Sequence, residues 1–387
     1  MRGTGCLECN MKRSDNLLIF AASDHDANML YATSMFVPDA FVYCRLAGRG
    51  YLIMSDLEID RAKRQASHCR VLSLSGFQRK LRDSGIKRPE VADIMAAFLR
   101  QRRIRRVVVP QDFPHGLAVA LQRRRIRVQP SRGMFFPERE IKSPEEVRKI
   151  TAALRMAETG LSEAIRALRA TRIGKNRQLL YRGAPLTSER LRAIIDTAIL
   201  QLGGVASHTI VAGGNQACDP HEPGHGPLRA HEPIILDIFP RAQETGYFGD
   251  LTRAVVRGHA SDAAKRLYDT VLRGQAIAFH KMRPGVRTAE VHKAVQDFFE
   301  QQGYKTGRSG GRMQGFFHGT GHGVGLEIHE PPRAGQTSTG KLKTGQVITV
   351  EPGLYYPGLG GVRLEDMALI TKGSPRNLTR VEKFFEV

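Results

Sequence analysis

His318-Gly319-Thr320-Gly321-His322-Gly323-Val324-Gly325-Leu326-Glu327-Ile328-His329-Glu330 sets three histidines within twelve positions and puts glycine at every second residue from 319 to 325. The i, i+4 spacing of His318 and His322 would suit two zinc ligands on one helix face. The glycines argue against a helix, since each costs about 1 kcal/mol relative to alanine in a helix interior. They predict instead an extended backbone able to approach a ligand closely, and three imidazoles in that setting predict a site. Ten of the thirteen histidines lie beyond residue 200, so the ligand-capable side chains are biased toward the C-terminal half.

Four acidic residues stand beside apolar runs in the same half. Ile234-Ile235-Leu236-Asp237-Ile238-Phe239 places Asp237 inside a strand, and Tyr247–Val256 passes through Asp250 into a β-branched run. A hairpin joining the two brings Asp237 and Asp250 together, and Thr252 faces the same way as Asp250. Val347-Ile348-Thr349-Val350 runs into Glu351-Pro352-Gly353. Gly361–Asp366, followed by Met367–Ile370, reads as a strand with Arg363 and Glu365 on one face and Val362 and Leu364 on the other. Taken singly, Asp237 and Asp250 also fit strand-end acids on a surface. Converging in a half-buried sheet, such carboxylates repel unless a cation lies between them.

Asp237, Asp250, Glu351 and Glu365 together carry −4, which two divalent ions balance, and His322 adds a nitrogen donor. That is the physical case for a two-metal site. The oxygen-rich set suits Mn²⁺, Fe²⁺ or Co²⁺ better than a structural zinc. Two ions about 3.5–4 Å apart can share a bridging water, lower its pKa and polarise a carbonyl, which is the chemistry of amide hydrolysis.

Upstream, Leu17–Ala22 and Val107-Val108-Val109 read as strands and Val91–Leu99 as a helix, a small α/β unit. Pro137 and Glu138–Lys142 read as a charged linker. Ser143-Pro144-Glu145-Glu146 then reads as a helix start: Ser143 caps, Pro144 suits the first helical position and Glu146 closes a capping box. Val147, Ile150, Leu154, Leu161, Ile165 and Leu168 follow at helical spacing. Further helices are expected at Ser188–Leu202, Ser261–Met282 and Thr288–Gln302. The division is therefore 1–142 and 143–387, and 387 residues at about 150 per domain agrees with two to three domains.

The chain carries 59 Lys+Arg against 38 Asp+Glu, a net charge of +21, which raises nucleic acid or an acidic membrane as partners. With no Trp and 7% aromatic residues, a base-stacking platform is poorly supplied. Arg102, Arg103, Arg105 and Arg106, and Arg123–Arg125 with Arg127, fit either a phosphate groove or the solvated ends of a helix and a strand; no nucleic-acid motif accompanies them. Residues 1–142 hold net +12 and the remainder +9, so the excess is denser away from the metal residues. Nucleic acid is not the expected partner. No apolar run approaches the about 20 residues of a membrane span. Met1–Asn10 is polar, reads as a flexible tail rather than a secretory signal, and Met11 is an alternative start. Cys6, Cys9, Cys44, Cys69 and Cys218 form no disulfide framework and fit a reducing cytoplasm. Cys6 and Cys9 lack the second pair that a zinc site needs.

The ordered set Asp237, Asp250, His322, Glu351 and Glu365 resembles the pita-bread (M24) metallopeptidases, which include methionine aminopeptidase, Xaa-Pro aminopeptidase and Xaa-Pro dipeptidase (prolidase). His318–Glu330 is similar to the proline-peptidase form of the signature. The resemblance covers 143–387 and, more weakly, 11–142, where Leu17–Tyr31 matches best. It implies a creatinase/prolidase-like α/β domain followed by an α+β pita-bread catalytic domain. It implies that Asp237 chelates one metal, that Asp250 and Glu365 bridge both, and that His322 and Glu351 complete the other. Mn²⁺ is the first expectation, with Co²⁺ or Fe²⁺ as alternatives. Glu351 would shuttle a proton, His221 would contact substrate, His329 would stabilise the oxyanion and Arg363 would hold the carboxylates. Thr252 and Tyr355 fall at supporting positions, with His318 structural or near the substrate, as are His225 and His231. A short peptide with proline second is the implied substrate and a homodimer the implied assembly. A methionine-type or other aminopeptidase, or a non-catalytic pita-bread protein binding protein or nucleic acid, are the alternatives. The family usually has glycine two residues after the first aspartate, whereas this chain has Phe239 and then Pro240, and its Asp237–Asp250 segment is longer; both are expected to reshape the hairpin beside the site.

Overall fold

Residues 16–387 are described by a computed structural model, and they fall into two units, one ending at Arg139 and the other Glu140–Val387. Residues 1–15, with the expected tail, Cys6, Cys9 and Met11, lie outside the described residues.

The first unit is a sheet with helices. Its strands are β1 (Leu17–Ala21), β2 (Phe41–Leu46), β3 (Arg49–Met54), β4 (Cys69–Ser73), β5 (Arg106–Val109) and β6 (Arg127–Pro130), in the order β4-β3-β2-β1-β5-β6. β1 pairs antiparallel with β2 and parallel with β5. The alternation of β1 explains the layering: Leu17 and Ile19 enter one core with Met29, Tyr43 and Phe136, while Leu18 enters another with Met95, Phe98 and Leu99. The helices are α1 (Ala27–Thr33), α2 (Ile59–Gln65), α3 (Leu74–Asp83), α4 (Val91–Gln101) and α5 (His115–Arg123). Two of the clustered arginines serve the fold. Arg102 lies 3.9 Å from the centre of the Phe98 ring, and Arg124 Nε donates to Asp93 at 2.7 Å.

The second unit opens with the long helix α6 (Pro144–Arg169). Ser143 Oγ accepts from the Glu146 N–H at 3.2 Å and Glu146 accepts from the Ser143 N–H at 2.8 Å, the reciprocal cap that the four residues spell. The preceding segment is not a solvated linker. Pro137–Glu140 forms a 3₁₀ turn, Glu140 accepts from Lys343 at 2.9 Å, and Lys142 is buried in an ion pair with Glu330. The remaining long helices are α7 (Ser188–Gln201), α8 (Asp262–Lys281) and α9 (Thr288–Gln301), within a residue of the capping signals at either end. Among the described residues no helix is long and apolar enough to cross a membrane.

Two antiparallel sheets carry the unit. Ile234–Ile238 lies between Ile210–Gly213 and Leu251–Val255. The larger sheet runs Glu330–Ala334, Gly321–Gly323, Val347–Val350, Asp366–Leu369 and Arg376–Asn377. A separate hairpin pairs Gly353–Tyr356 with Gly360–Arg363. The single strand expected over 361–370 is therefore two strands in two sheets, and Leu364 and Glu365 lie in the break between them. α8, α9 and both sheets share one core containing Leu267, Val271, Val295, Phe299, Ile348 and Leu364.

Candidate metal centre

Each acidic residue is delivered by the end or the interior of a different strand. Asp237 sits within Ile234–Ile238, facing Ile210 on one side and Thr252 on the other in the strand register. Asp250 directly precedes Leu251–Val255. The chain leaves the ladder after Ile238: Arg241–Ala242 pairs with Gly204–Val205, and Phe239 lines the cavity. Glu351 follows Val347–Val350, its N–H donating to Thr320 O at 2.8 Å, and Glu365 donates its N–H to Thr252 O at 3.0 Å. These two backbone bonds lock the carboxylate-bearing turns against the strands that carry the other ligands.

His322 is central to Gly321–Gly323, and the glycines around it serve the backbone rather than a ligand. A methyl group on Gly321 would overlap the Thr349 carbonyl, and one on Gly323 would overlap that of Pro331. Glycine thus lets neighbouring strands close on both sides of the histidine.

The ligand atoms of Asp250, His322 and Glu365 lie within 4.8 Å of one another, all three residues buried. His322 Nδ1 faces Gly323 O at 3.2 Å, which as an N–H···O bond leaves Nε2 to the carboxylates: 3.2 Å from Glu351 Oε1 and 3.7 Å from Asp250 Oδ2. Thr349 Oγ1 accepts the His322 N–H at 3.0 Å and donates to Glu351 Oε1 at 3.2 Å. Thr252 Oγ1 donates to Glu365 Oε2 at 2.7 Å. Asp237 flanks the cluster through Arg363, whose Nη2 donates to Asp237 Oδ2 at 2.6 Å.

A second chain of bonds holds that guanidinium. Arg363 Nη1 donates to the Tyr355 hydroxyl at 2.9 Å, and Tyr355 in turn lies 2.8 Å from His318 Nε2. His318 Nδ1 is 2.8 Å from Gly319 O. Nδ1 therefore carries the proton, Nε2 accepts from Tyr355, and Arg363 is fixed through two further side chains. Burial pushes His318 down to about 4, which keeps the ring neutral for this role.

The electrostatics show a cluster that asks for positive charge. Burial raises Asp250 and Glu365 well above the ordinary carboxylate range, and the neighbouring acids raise both further. Burial also works against the charge on Glu351, yet the hydrogen bond and charge of His322, with the nearby His318 and Arg363, together outweigh it and Glu351 falls to about 2. His322, despite its burial, is raised by Glu351 and Asp250. His322 Nε2 thus faces the Glu351 and Asp250 carboxylates from the side where a cation would neutralise them. The donor set fits hard divalent ions: oxygen-rich, buried and in excess negative charge.

The surrounding cavity has a volume of about 580 Å³ and reaches all five expected ligands together with His221, His318, His329 and Arg363. His329 stands edge-on to His322 with ring centres 4.4 Å apart, and burial pushes it down to about 4. His221 is exposed at the cavity. His225 and His231 are elsewhere, the first 3.4 Å from Glu222 and the second 3.0 Å from His259 O. Sequence reading missed Thr349 and Arg253. Arg253 is buried, its Nη1 donating to Glu365 O at 2.6 Å and its Nη2 to Asp366 at 2.8 Å. An arginine within Leu251–Val255, with apolar neighbours, was the available signal, since a charge in a buried strand must be paired.

The α/β unit followed by an α+β unit with a buried, carboxylate-rich centre defines a metal-site protein of two domains. Residues 148–372, more than half of the chain, match the model of metallopeptidase family M24, and the chain belongs to that family. Membership implies divalent-metal binding. The Xaa-Pro dipeptidases of Pyrococcus furiosus and Pyrococcus horikoshii are each 32% identical over 249 residues, 63% of this chain and 64% of theirs. The aligned stretch thus spans somewhat under two thirds of those curated relatives. Among solved structures, the Xaa-Pro dipeptidase from Bacillus anthracis superposes with a TM-score of 0.80 at 23% identity, covering 96% of this chain and 95% of its own. The X-Pro aminopeptidase from Thermotoga maritima gives 0.79 at 22% identity, covering 96% and 97%. These likenesses show the pita-bread fold of the second unit and the accompanying N-terminal domain.

Proposed function

We propose that this protein is a metal-dependent exopeptidase that hydrolyses the first peptide bond of short peptides, with proline preferred at the second position. The observation that carries the reading is the convergence of Asp250, His322 and Glu365, flanked by Asp237 and Glu351, on one cavity of an M24 chain. The names of the relatives, Xaa-Pro dipeptidase and X-Pro aminopeptidase, support the substrate class.

Asp237, Asp250, His322, Glu351 and Glu365 would hold two divalent ions, Mn²⁺ ahead of Co²⁺ or Fe²⁺ because four of the five donors are carboxylates. Such ions supply Lewis acidity toward the scissile carbonyl and lower the pKa of the attacking water. Glu351 accepts a proton from that water on a carboxylate oxygen and delivers it to the leaving nitrogen. His329, neutral at its depressed pKa, donates an N–H to the oxygen on which charge develops, and His221 orients the peptide from the rim. Arg363, held by Tyr355 and His318, keeps Asp237 aimed. Phe239, Phe317 and Ile328 give the cavity an apolar wall for a proline ring. A homodimer in a reducing cytoplasm completes the reading; Cys44, Cys69 and Cys218 are free and buried, and light scattering on the purified protein gives the assembly.

The deciding assay is a panel of Xaa-Pro dipeptide, Xaa-Pro-Yaa tripeptide and Met-Yaa, each with Mn²⁺, Co²⁺ and Fe²⁺, followed by release of the free amino acid. Release from Xaa-Pro substrates is expected. Cleavage of Met-Yaa alone would make it a methionine-type aminopeptidase, and no release with any ion would overturn the enzymatic reading.

A further inference from the structure

Glu351 and Glu365 lie just outside two paired strands, in a region where the ladder is interrupted. Val350 pairs with Asp366, the last rung of that ladder on the cluster side. Beyond it the ladder is interrupted, one chain passing through Glu351-Pro352 and the other back through Glu365 and Leu364, until Gly353 pairs with Arg363 in the hairpin. The carbonyls of Val350 and Leu364 immediately precede the two carboxylates; across the gap the Leu364 N–H reaches Pro352 O at 3.4 Å, and Pro352 has no N–H to return to Leu364 O.

A side chain from α8 does. Gln275 is buried, and its Nε2 donates to Val350 O at 2.8 Å and to Leu364 O at 3.1 Å. A primary amide carries two N–H donors on one nitrogen, so one group can bind two acceptors at once. The amide therefore acts as an added rung in the gap of the ladder and holds the two turns at one spacing. Arg253 braces the same turn from Glu365 O at 2.6 Å, whereas Gln275 is the side chain that touches both.

We infer that Gln275 is a positioning residue for the metal centre: by bridging Val350 O and Leu364 O it fixes the separation of the Glu351 and Glu365 carboxylates on which ion affinity depends. This rests on the metal reading above. Outer groups that orient metal ligands are commonly worth 10–100-fold in affinity, and a group that constrains two ligands at once belongs in that class. α8 also packs into the shared core, so a role in plain stability has to be separated from positioning.

The test uses the full chain, freed of metal by chelation and titrated with Mn²⁺ alone by calorimetry. Gln275→Met keeps length and bulk and removes both donors. Val271→Ala, a core truncation on the same helix remote from the two carbonyls in bonding terms, is the control for lost stability. Gln275→Met is expected to bind Mn²⁺ about 10–100-fold more weakly with native circular dichroism, while Val271→Ala lowers the melting temperature and leaves affinity near wild type. If Gln275→Met does not fold, Gln275→Asn, whose amide is one methylene short of the bridge, is expected to show the same weakening. Unchanged affinity in the glutamine variants, or an equal loss in Val271→Ala, overturns the positioning role. A wild-type protein that binds no Mn²⁺ fails earlier and overturns the metal reading itself.

Discussion

Replacing Arg363 by methionine removes the buried cation that holds Asp237. The guanidinium is 3% exposed and spends its donors on Asp237 Oδ2 at 2.6 Å, the Tyr355 hydroxyl at 2.9 Å, Pro220 O at 3.3 Å and Thr252 Oγ1 at 3.4 Å. Methionine fills much of the volume and supplies none of these bonds. Breaking a buried ion pair by deleting one partner costs about 3–5 kcal/mol, because the remaining charge is left uncompensated. Each kcal/mol shifts the midpoint of a domain of this size by about 2–4 °C, so chelated Arg363→Met is expected to melt about 6–20 °C below chelated wild type. The remaining acids strengthen the expectation, since Asp250 and Glu365 are already driven upward by burial and mutual repulsion. Arg363→Lys restores charge without the fork and should fall between the two. Adding Mn²⁺ should recover part of the loss, because the ions supply positive charge to the same carboxylates. Far-UV circular dichroism melts of chelated and metal-loaded samples give all the quantities. A chelated Arg363→Met protein melting within about 2 °C of wild type would refute the idea that the carboxylates lean on this guanidinium.

Glu351→Gln keeps the shape of the side chain and removes its proton acceptor; turnover of an Xaa-Pro dipeptide should fall by about 10²–10⁴-fold with an unchanged dichroism spectrum, and retained turnover would exclude the proton role. Gly321→Ala forces a methyl group onto the Thr349 carbonyl and should destabilise the second unit by about 1–3 kcal/mol in a denaturant titration; a wild-type midpoint would mean that the strands part freely. His318 should stay neutral across the physiological range, so its ring resonances should not titrate above about pH 5.5. The sign follows from a folded value of about 4 against about 6.5 when unfolded: this contribution to stability is complete above about pH 6.5 and is lost as the pH falls toward 4. A His318 midpoint near 6.5 would show that Tyr355 does not donate to Nε2.

Much of the centre could be read from local pattern because local pattern causes it. Ser143 and Glu146 satisfy each other's backbone donors within four residues, so the start of α6 was visible without tertiary information. The apolar runs around Asp237 and Asp250 read as two joined strands, and Ile234–Ile238 does pair with Leu251–Val255, with Asp237 opposite Thr252. Other features depend on distant partners and left no local trace. Leu364 and Glu365 look like the middle of one strand, yet the flanking segments pair with different sheets, and only the partners Gly353–Tyr356 and Val347–Val350 determine the break. Lys142 reads as a linker charge because its partner Glu330 is 188 positions away in the chain. The glycines around His322 signalled close approach correctly, but what approaches is the backbone of Thr349 and Pro331.

The residues gathered at the centre are far apart along the polypeptide. His322 follows Asp250 by 72 positions and Glu365 follows Asp237 by 128. Bringing such separated segments together carries a loop-closure cost that grows with the logarithm of their spacing. An unfolded or half-synthesised chain therefore offers a metal ion local pairs such as His318 and His322 but not the full ligand set. The full ligand set is present only once the strands that carry Asp237, Asp250, His322, Glu351 and Glu365 have come together. Binding energy at such a site would then favour the finished state over its precursors, so a bound ion would act as a quality mark of completed molecules.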